Sequence, residues 1–163
     1  MKRAHYSGRD FHRAVNIEDL RRIARRRLPN FSFEYVEGGA EDELALRRNR
    51  DVFERIAWVP RTLASVGTPD LATEILGDSC HLPLVIAPTG FNGLLWPQGD
   101  LALAKAAADA GIPFTLSTVS NYPVAKLTAE VPGRTWFQLY PMKEARVIDR
   151  LIDRAAEAGC RTM

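Results

Sequence analysis

Pro83-Leu84-Val85-Ile86-Ala87-Pro88-Thr89-Gly90-Phe91-Asn92-Gly93 is the stretch whose reading decides the fold. Leu84, Val85 and Ile86 form a short apolar run between prolines, the pattern of a strand buried on both faces. Pro88 ends the run because it has no N–H to give to a ladder. Thr89, Gly90, Asn92 and Gly93 then make a polar turn at the strand's C-terminal end. In parallel α/β folds ligands sit at that end, and glycine lets a flat ligand approach the main chain. Taken alone, the same residues also suit an ordinary connecting loop.

Downstream, strand and helix patterns alternate. The first strand spans Leu84 to Ala87, and an alanine-rich helix runs from near Gly99 to Ala110, stopped by Gly111. Pro113 to Leu116 reads as a second strand, Pro123 to Glu130 as a short helix, and Thr135 to Tyr140 as a third strand. A helix from Lys143 to Ala158 ends at Gly159, and Cys160 to Met163 begins a fourth strand. Three β-α units with a fourth strand started predict a parallel sheet. Doubly wound and barrel versions share this pattern. A dinucleotide fold asks for Gly-x-Gly-x-x-Gly after its first strand; Gly90-x-x-Gly93 alone, with no Walker lysine motif, counts against it.

Upstream, residues 1–15 lack periodicity and read as a loose arm. Asn16 is a helix cap followed by Glu18 and Asp19; Ile17, Leu20, Ile23, Ala24 and Leu28 keep helical spacing, and Pro29 ends the run. The intervening Arg21, Arg22, Arg25, Arg26 and Arg27 suit a solvated helix face, with an anionic membrane surface or nucleic acid as the sharper alternative. Phe31 to Glu37 reads as a second helix closed by Gly38 and Gly39. A third starts near Glu41, with Glu43 four residues before Arg47. Tyr35, on the second helix, is by default a packed aromatic with one satisfied hydroxyl. Trp58 to Pro60 and Leu71 to Gly77 suggest extended structure around turns.

The 163 residues suffice for one domain with a real core, and 46% hydrophobic with 26% charged residues is ordinary for a soluble protein. Twenty-two basic against 20 acidic residues leave +2, which makes no global case for nucleic acid or an acidic partner. Cys80 and Cys160 lack metal-ligand or framework spacing, so reduced buried thiols in a cytoplasmic protein are expected, and no metal. Lys2 and Arg3 precede no apolar segment of a signal peptide, and no apolar run approaches the roughly 20 residues that span a bilayer.

Polar residues gather at the strand C-termini: Pro88, Thr89 and Gly90; Ser117 and Thr118; Gln138 and Tyr140. The opposite end is punctuated by Pro83, Pro113 and glycines. That asymmetry is what a barrel enzyme shows at its catalytic face.

Five motifs carry a family resemblance: Glu34-Tyr35-Val36-Glu37-Gly38-Gly39-Ala40-Glu41-Asp42-Glu43, Asn49-Arg50, Pro88-Thr89-Gly90, Leu116-Ser117-Thr118 and Trp136-Phe137-Gln138-Leu139-Tyr140. From about Ile17 to Met163 the chain resembles the FMN-dependent α-hydroxy-acid dehydrogenases and oxidases, closest to the mandelate and L-lactate dehydrogenases. The resemblance implies a flavoprotein oxidoreductase with an α/β fold, the N-terminal part of a (β/α)8 TIM barrel preceded by short helices. Residues 1–15 are then an arm and 16–163 the N-terminal portion of the family domain, truncated at the fourth strand. Pro88, Thr89 and Gly90 would lie against the flavin ring, and Ser117 and Gln138 would hydrogen-bond its polar edge. Tyr35 and Tyr140 would reach the substrate's carboxylate and hydroxyl, with Tyr140 the one catalytic residue present. Fixed neutral donors suit a flavin, whose N1–O2 edge gains negative charge on two-electron reduction.

The implied reaction is oxidation of a lactate- or mandelate-like 2-hydroxy acid to the 2-oxo acid. Glycine at Gly90, where oxidases of the family commonly carry alanine, points to a quinone or cytochrome acceptor instead of oxygen. The family's catalytic histidine, substrate arginines, flavin-facing lysine and phosphate loops have no counterpart in these residues. His5 and His12 fall in the arm, and His81 precedes the first strand. The expectation is therefore a fragment, inactive by itself, of an enzyme that is a homo-oligomer at full length. Such an enzyme would be cytoplasmic, peripheral to the inner face of the membrane. The alternatives are a vestigial half-barrel that binds nothing, or another FMN- or phosphate-binding barrel.

Overall fold

The computed structural model describes residues 10–63 and 67–163, so residues 1–9 of the expected arm lie outside the described residues. The chain divides into two compact units, Met1–Ser65 and Val66–Met163. In the first unit a single 3-10 turn, Phe11–Arg13, precedes α1 (Ile17–Arg27). The Asn16 side chain accepts from the Asp19 N–H at 2.8 Å, satisfying a donor that the helix leaves orphaned. Pro29 precedes α2 (Asn30–Glu37).

Ion pairs tie α1 to α2. The Arg21 guanidinium holds Glu37 through Nε at 2.6 Å and Glu18 through Nη1 at 3.0 Å. Arg25 bonds Glu34 at 2.6 Å, its guanidinium 4.7 Å from the centre of the Phe33 ring. The hydrogen bond from Arg21 pulls the Glu37 carboxyl below its ordinary value. Arg21, Arg22 and Arg25 thus pair with neighbouring glutamates, which favours the plain reading of this face.

The third helix begins later than its spacing predicts. Glu41 and Glu43 have φ of 47° and 57°, in the left-handed region, so α3 starts only at Leu44 and runs to Arg55. The Glu43 carboxylate accepts from the Gly39 N–H at 3.2 Å, closing the connection to α2 instead of supporting Arg47. No helix or strand follows over 56–61.

In the second unit, Leu71 to Gly77 resolves into a hairpin. Strand β1 (Thr73–Ile75) pairs antiparallel with β2 (Asp78–Cys80) across a two-residue turn, Leu76 and Gly77, with φ of 50° and 83°. Positive φ at both positions is the turn whose twist matches antiparallel strands. The segment 84–87 that decides the fold is extended, but it is less regular than its apolar run predicts. Only Ile86 bridges to the next strand, through Ile86 N–H to Pro113 O and Thr115 N–H to Ile86 O, each 3.0 Å. Nor is it buried on both faces: Leu84 is 57% exposed. Two flanking prolines and pairing along one edge leave room for a single bridge.

The units that follow match the expected order. Helix α4 (Gly99–Ala110) ends at Gly111 and leads to β3 (Phe114–Ser117); α5 (Val124–Glu130) leads to β4 (Thr135–Gln138); α6 (Ala145–Glu157) closes the series. Strands β3 and β4 are parallel, with Leu116 opposite Phe137 and Ser117 opposite Gln138. The expected fourth strand makes only its first contact, Phe137 N–H to Thr162 O at 3.0 Å. Neighbours in sequence are thus neighbours in space, as in a barrel.

Strand alternation then sorts the side chains. Phe114, Leu116 and Phe137 join Leu101, Ala104, Ala107, Leu127 and Ala155 of the helices in one core. The other face of the ladder carries Thr115 and Ser117 on β3 beside Trp136 and Gln138 on β4. At its lower end Trp136 donates from Nε1 to Asp78 of the hairpin at 2.8 Å, so β2 floors this polar face.

Candidate flavin-binding face

The register of β3 against β4 builds the site. Because Ser117 and Gln138 are partners at the C-terminal ends of adjacent parallel strands, their side chains leave the same face side by side. Ser117 is 4% exposed; its Oγ donates to Gln138 Oε1 at 3.1 Å and accepts from the Val119 N–H at 3.3 Å. With Oε1 accepting from Ser117, the Gln138 amide keeps its NH2 group as a donor.

Thr118 fixes the next turn. Its N–H donates to Gln138 O at 3.0 Å, its hydroxyl also bonds that carbonyl, and Oγ1 accepts from the Tyr140 N–H at 3.0 Å. Tyr140, 49% exposed, is therefore held by its main chain while its phenol extends from the strand end. The Pro88–Gly90 loop joins the cluster through Phe91 N–H to Val119 O at 3.3 Å. Six of the seven expected site residues, Pro88, Thr89, Gly90, Ser117, Gln138 and Tyr140, thus come from three successive strand ends on one side of the sheet. Tyr35 is carried by α2 of the first unit. His81 stands at the other end, its N–H on Gly111 O at 3.0 Å, just before β3.

Sequence reading misses a polar cluster behind this face, buried Asn92 and Asp100 with half-buried Ser120. Its one legible sign is an aspartate, Asp100, opening an otherwise alanine-rich helix.

The family model described as FMN-dependent dehydrogenase matches residues 24–163. The chain belongs to that family. It is 45% identical over 148 residues to (S)-mandelate dehydrogenase of Pseudomonas putida, covering 91% of this chain and 37% of that protein. It is 46% identical over 151 residues to a putative L-lactate dehydrogenase of Mycobacterium tuberculosis, covering 92% of this chain and 36% of that one. A crystal structure of the monotopic membrane protein (S)-mandelate dehydrogenase superposes with a TM-score of 0.84 at 44% identity, over 91% of this chain and 39% of that one. The chain therefore spans little more than a third of the length of these relatives. Its β-α units are the N-terminal part of a (β/α)8 barrel, as the sequence suggests.

FMN is the cofactor of the family, and the donors present here fit it. The polar groups at these strand ends are neutral: the Gln138 amide, the Ser117 and Thr118 hydroxyls and the loop main chain. The nearby carboxylate of Asp100 is occupied by Asn92 and Ser120 at 2.7 and 2.8 Å. A reduced flavin edge would thus meet donors and no opposing charge.

Proposed function

We propose that this chain contributes one flank of the flavin site and a substrate tyrosine to an FMN-dependent dehydrogenase of lactate- or mandelate-like 2-hydroxy acids. The observation that carries the reading is the Ser117–Gln138 pair, held at 3.1 Å in ladder register at adjacent strand ends. When bound, FMN supplies the two-electron acceptor for the substrate's α-carbon. Ser117 and Gln138 would hydrogen-bond the ring's polar edge, and the Pro88–Gly90 main chain would lie against the ring. The Tyr140 phenol would orient the substrate carboxylate or hydroxyl without adding charge.

The proton of the substrate hydroxyl needs a base that these strand ends do not supply. His12 belongs to the first unit and His81 lies at the opposite end of the strands. Residues 1–163 alone are accordingly expected not to turn over. Gly90 favours a quinone or cytochrome-type acceptor, and the mandelate dehydrogenase described as monotopic suggests a peripheral membrane location. Among the described residues no helix is long and apolar enough to cross a membrane.

Titrating FMN with the purified chain and following loss of flavin fluorescence tests the site. Saturable quenching that Gln138→Met weakens supports it, and no quenching by the folded chain refutes it. In the full-length flavin-loaded enzyme, reduced anaerobically with substrate, reoxidation faster with a quinone analogue than with air is expected. Rapid reoxidation by air alone would overturn the acceptor assignment.

A further inference from the structure

One buried carboxylate ties the two flavin-facing loops together. Asp100, 2% exposed in the first turn of α4, accepts from Asn92 Nδ2 at 2.7 Å and from Ser120 Oγ at 2.8 Å. Asn92, also buried, grips Thr89 at both ends: its Oδ1 accepts from Thr89 Oγ1 at 2.9 Å, and its Nδ2 reaches Thr89 O at 3.2 Å. Ser120 in turn accepts from the Tyr122 N–H at 2.9 Å. The loop after segment 84–87 and the loop after β3 are thus joined through a single side chain in the first turn of α4.

The surroundings are built around this clasp. A Cβ on Gly99 would stand 2.8 Å from Asn92 O and 2.9 Å from Asn92 Cβ, so Asn92 seats directly on the first turn of α4. Phe91 and Gln98, at the ends of the connecting segment, have φ of 53° and 54°. Non-glycine residues persist in that left-handed region only where the surrounding structure over-determines them. The chemistry also selects a carboxylate. Both partners donate, and an ionised carboxylate offers an acceptor to each, whereas an amide offers one. The N-terminus of α4 favours the negative charge.

We propose that Asp100 is a positioning residue of the flavin site, fixing the Thr89–Gly90 main chain at a set offset from Ser117 and Thr118 so that both loops meet one ligand edge. The inference rests on the FMN reading above. It predicts that Asp100→Ala weakens FMN binding by the chain about tenfold, the loss of one charge-assisted hydrogen bond's worth of order. Asp100→Asn, keeping one acceptor, and Ser120→Ala, removing one donor, should fall between it and the native chain.

The test pairs FMN fluorescence titration with amide hydrogen exchange. Loss of protection at Phe91, with the β3–β4 ladder amides unchanged, accompanies a positioning role; equal loss in loop and ladder means a scaffold role and overturns the proposal. Native quenching matched by all three variants overturns it as well. Failure of the native chain to quench FMN sinks the flavin reading and this inference with it. Should Asp100→Ala fail to fold, the comparison of Asp100→Asn and Ser120→Ala with the native chain decides the matter on the same two readouts.

Discussion

Replacing Gln138 with methionine keeps the length of the side chain and removes both amide atoms, so it isolates what the pairing with Ser117 contributes. Ser117 is 4% exposed, and its hydroxyl proton goes to Gln138 Oε1 at 3.1 Å. Gln138→Met strands that proton in a site with little water. A buried hydroxyl without its acceptor costs about 1–2 kcal/mol, while a satisfied neutral hydrogen bond is worth about 1 kcal/mol. Ser117→Ala should cost a similar amount, since it also leaves the Val119 N–H without the acceptor it finds at 3.3 Å. Because each single change removes the same contact, the double variant should be more stable than the sum of the two losses suggests, by about 0.5–1.5 kcal/mol. Urea denaturation of the four proteins, with unchanged m-values, measures this coupling. The same set titrated with FMN should show the Gln138→Met proteins weakened by about fivefold, the loss of one donor. Coupling below about 0.3 kcal/mol would refute the claim that ladder register locks the pair.

Other consequences follow from single positions. Leu127, fully buried in the core under β3, should lose about 2–5 kcal/mol of stability as Leu127→Ala, read as a lower urea midpoint; a loss under about 0.5 kcal/mol would contradict the assigned core. Gly111→Ala places a Cβ 2.2 Å from His81 Nδ1 at a φ of 66°, so it should destabilise more than Gly133→Ala, whose Cβ has its nearest neighbour at 3.9 Å; equal melting temperatures would count against the α4 stop. Burial raises the Cys160 thiol above its ordinary pKa, so alkylation in the folded chain should be slow at neutral pH and accelerate on unfolding; modification at the rate of a free thiol would argue against the packing. The lowered Glu37 carboxyl contributes stability that is fully present above the ordinary carboxylate pKa and is lost as pH falls through its lowered value. Glu37→Gln should flatten that acid limb, and an unchanged limb would show that the Arg21 pairing does not matter.

The sequence makes the repeating parts of this structure legible because repetition is a local signal. Asn16 before Ile17 and the Gly111 stop each act within one turn of chain, and both form as read. The strand ends are legible too: once β3 and β4 are known to be parallel neighbours, Ser117 must stand beside Gln138. What stays hidden depends on other parts of the chain or on unusual backbone. The left-handed Glu43 delays α3 although its charge spacing to Arg47 suits a helix. The run 84–87 has the composition of a fully paired strand, yet its pairing is decided by how much edge its flanking prolines leave available. Asn92, Asp100 and Ser120 are separated by 8 and 20 residues, with no periodicity to join them.

The placement of charge links the fold to the proposed chemistry. Strand alternation delivers Leu116 and Phe137 to the helices and leaves Ser117 and Gln138 on the opposite face. A carboxylate projecting from that face would oppose the negative charge that a flavin edge acquires on reduction, and water there would screen the donors meant to stabilise it. The buried carboxylate of Asp100 sits instead on α4, where Asn92 and Ser120 occupy both oxygens. Asp100 can then brace the loops through neutral intermediaries, and in the proposed site the ligand would meet the Gln138 amide and main-chain groups. The same logic extends to Tyr140, whose phenol is presented by a main chain clamped to Thr118 and brings a hydrogen-bonding group without a formal charge. Neutral recognition at the strand ends, with the Asp100 charge behind it, would suit the proposed reaction, which builds negative charge on its cofactor.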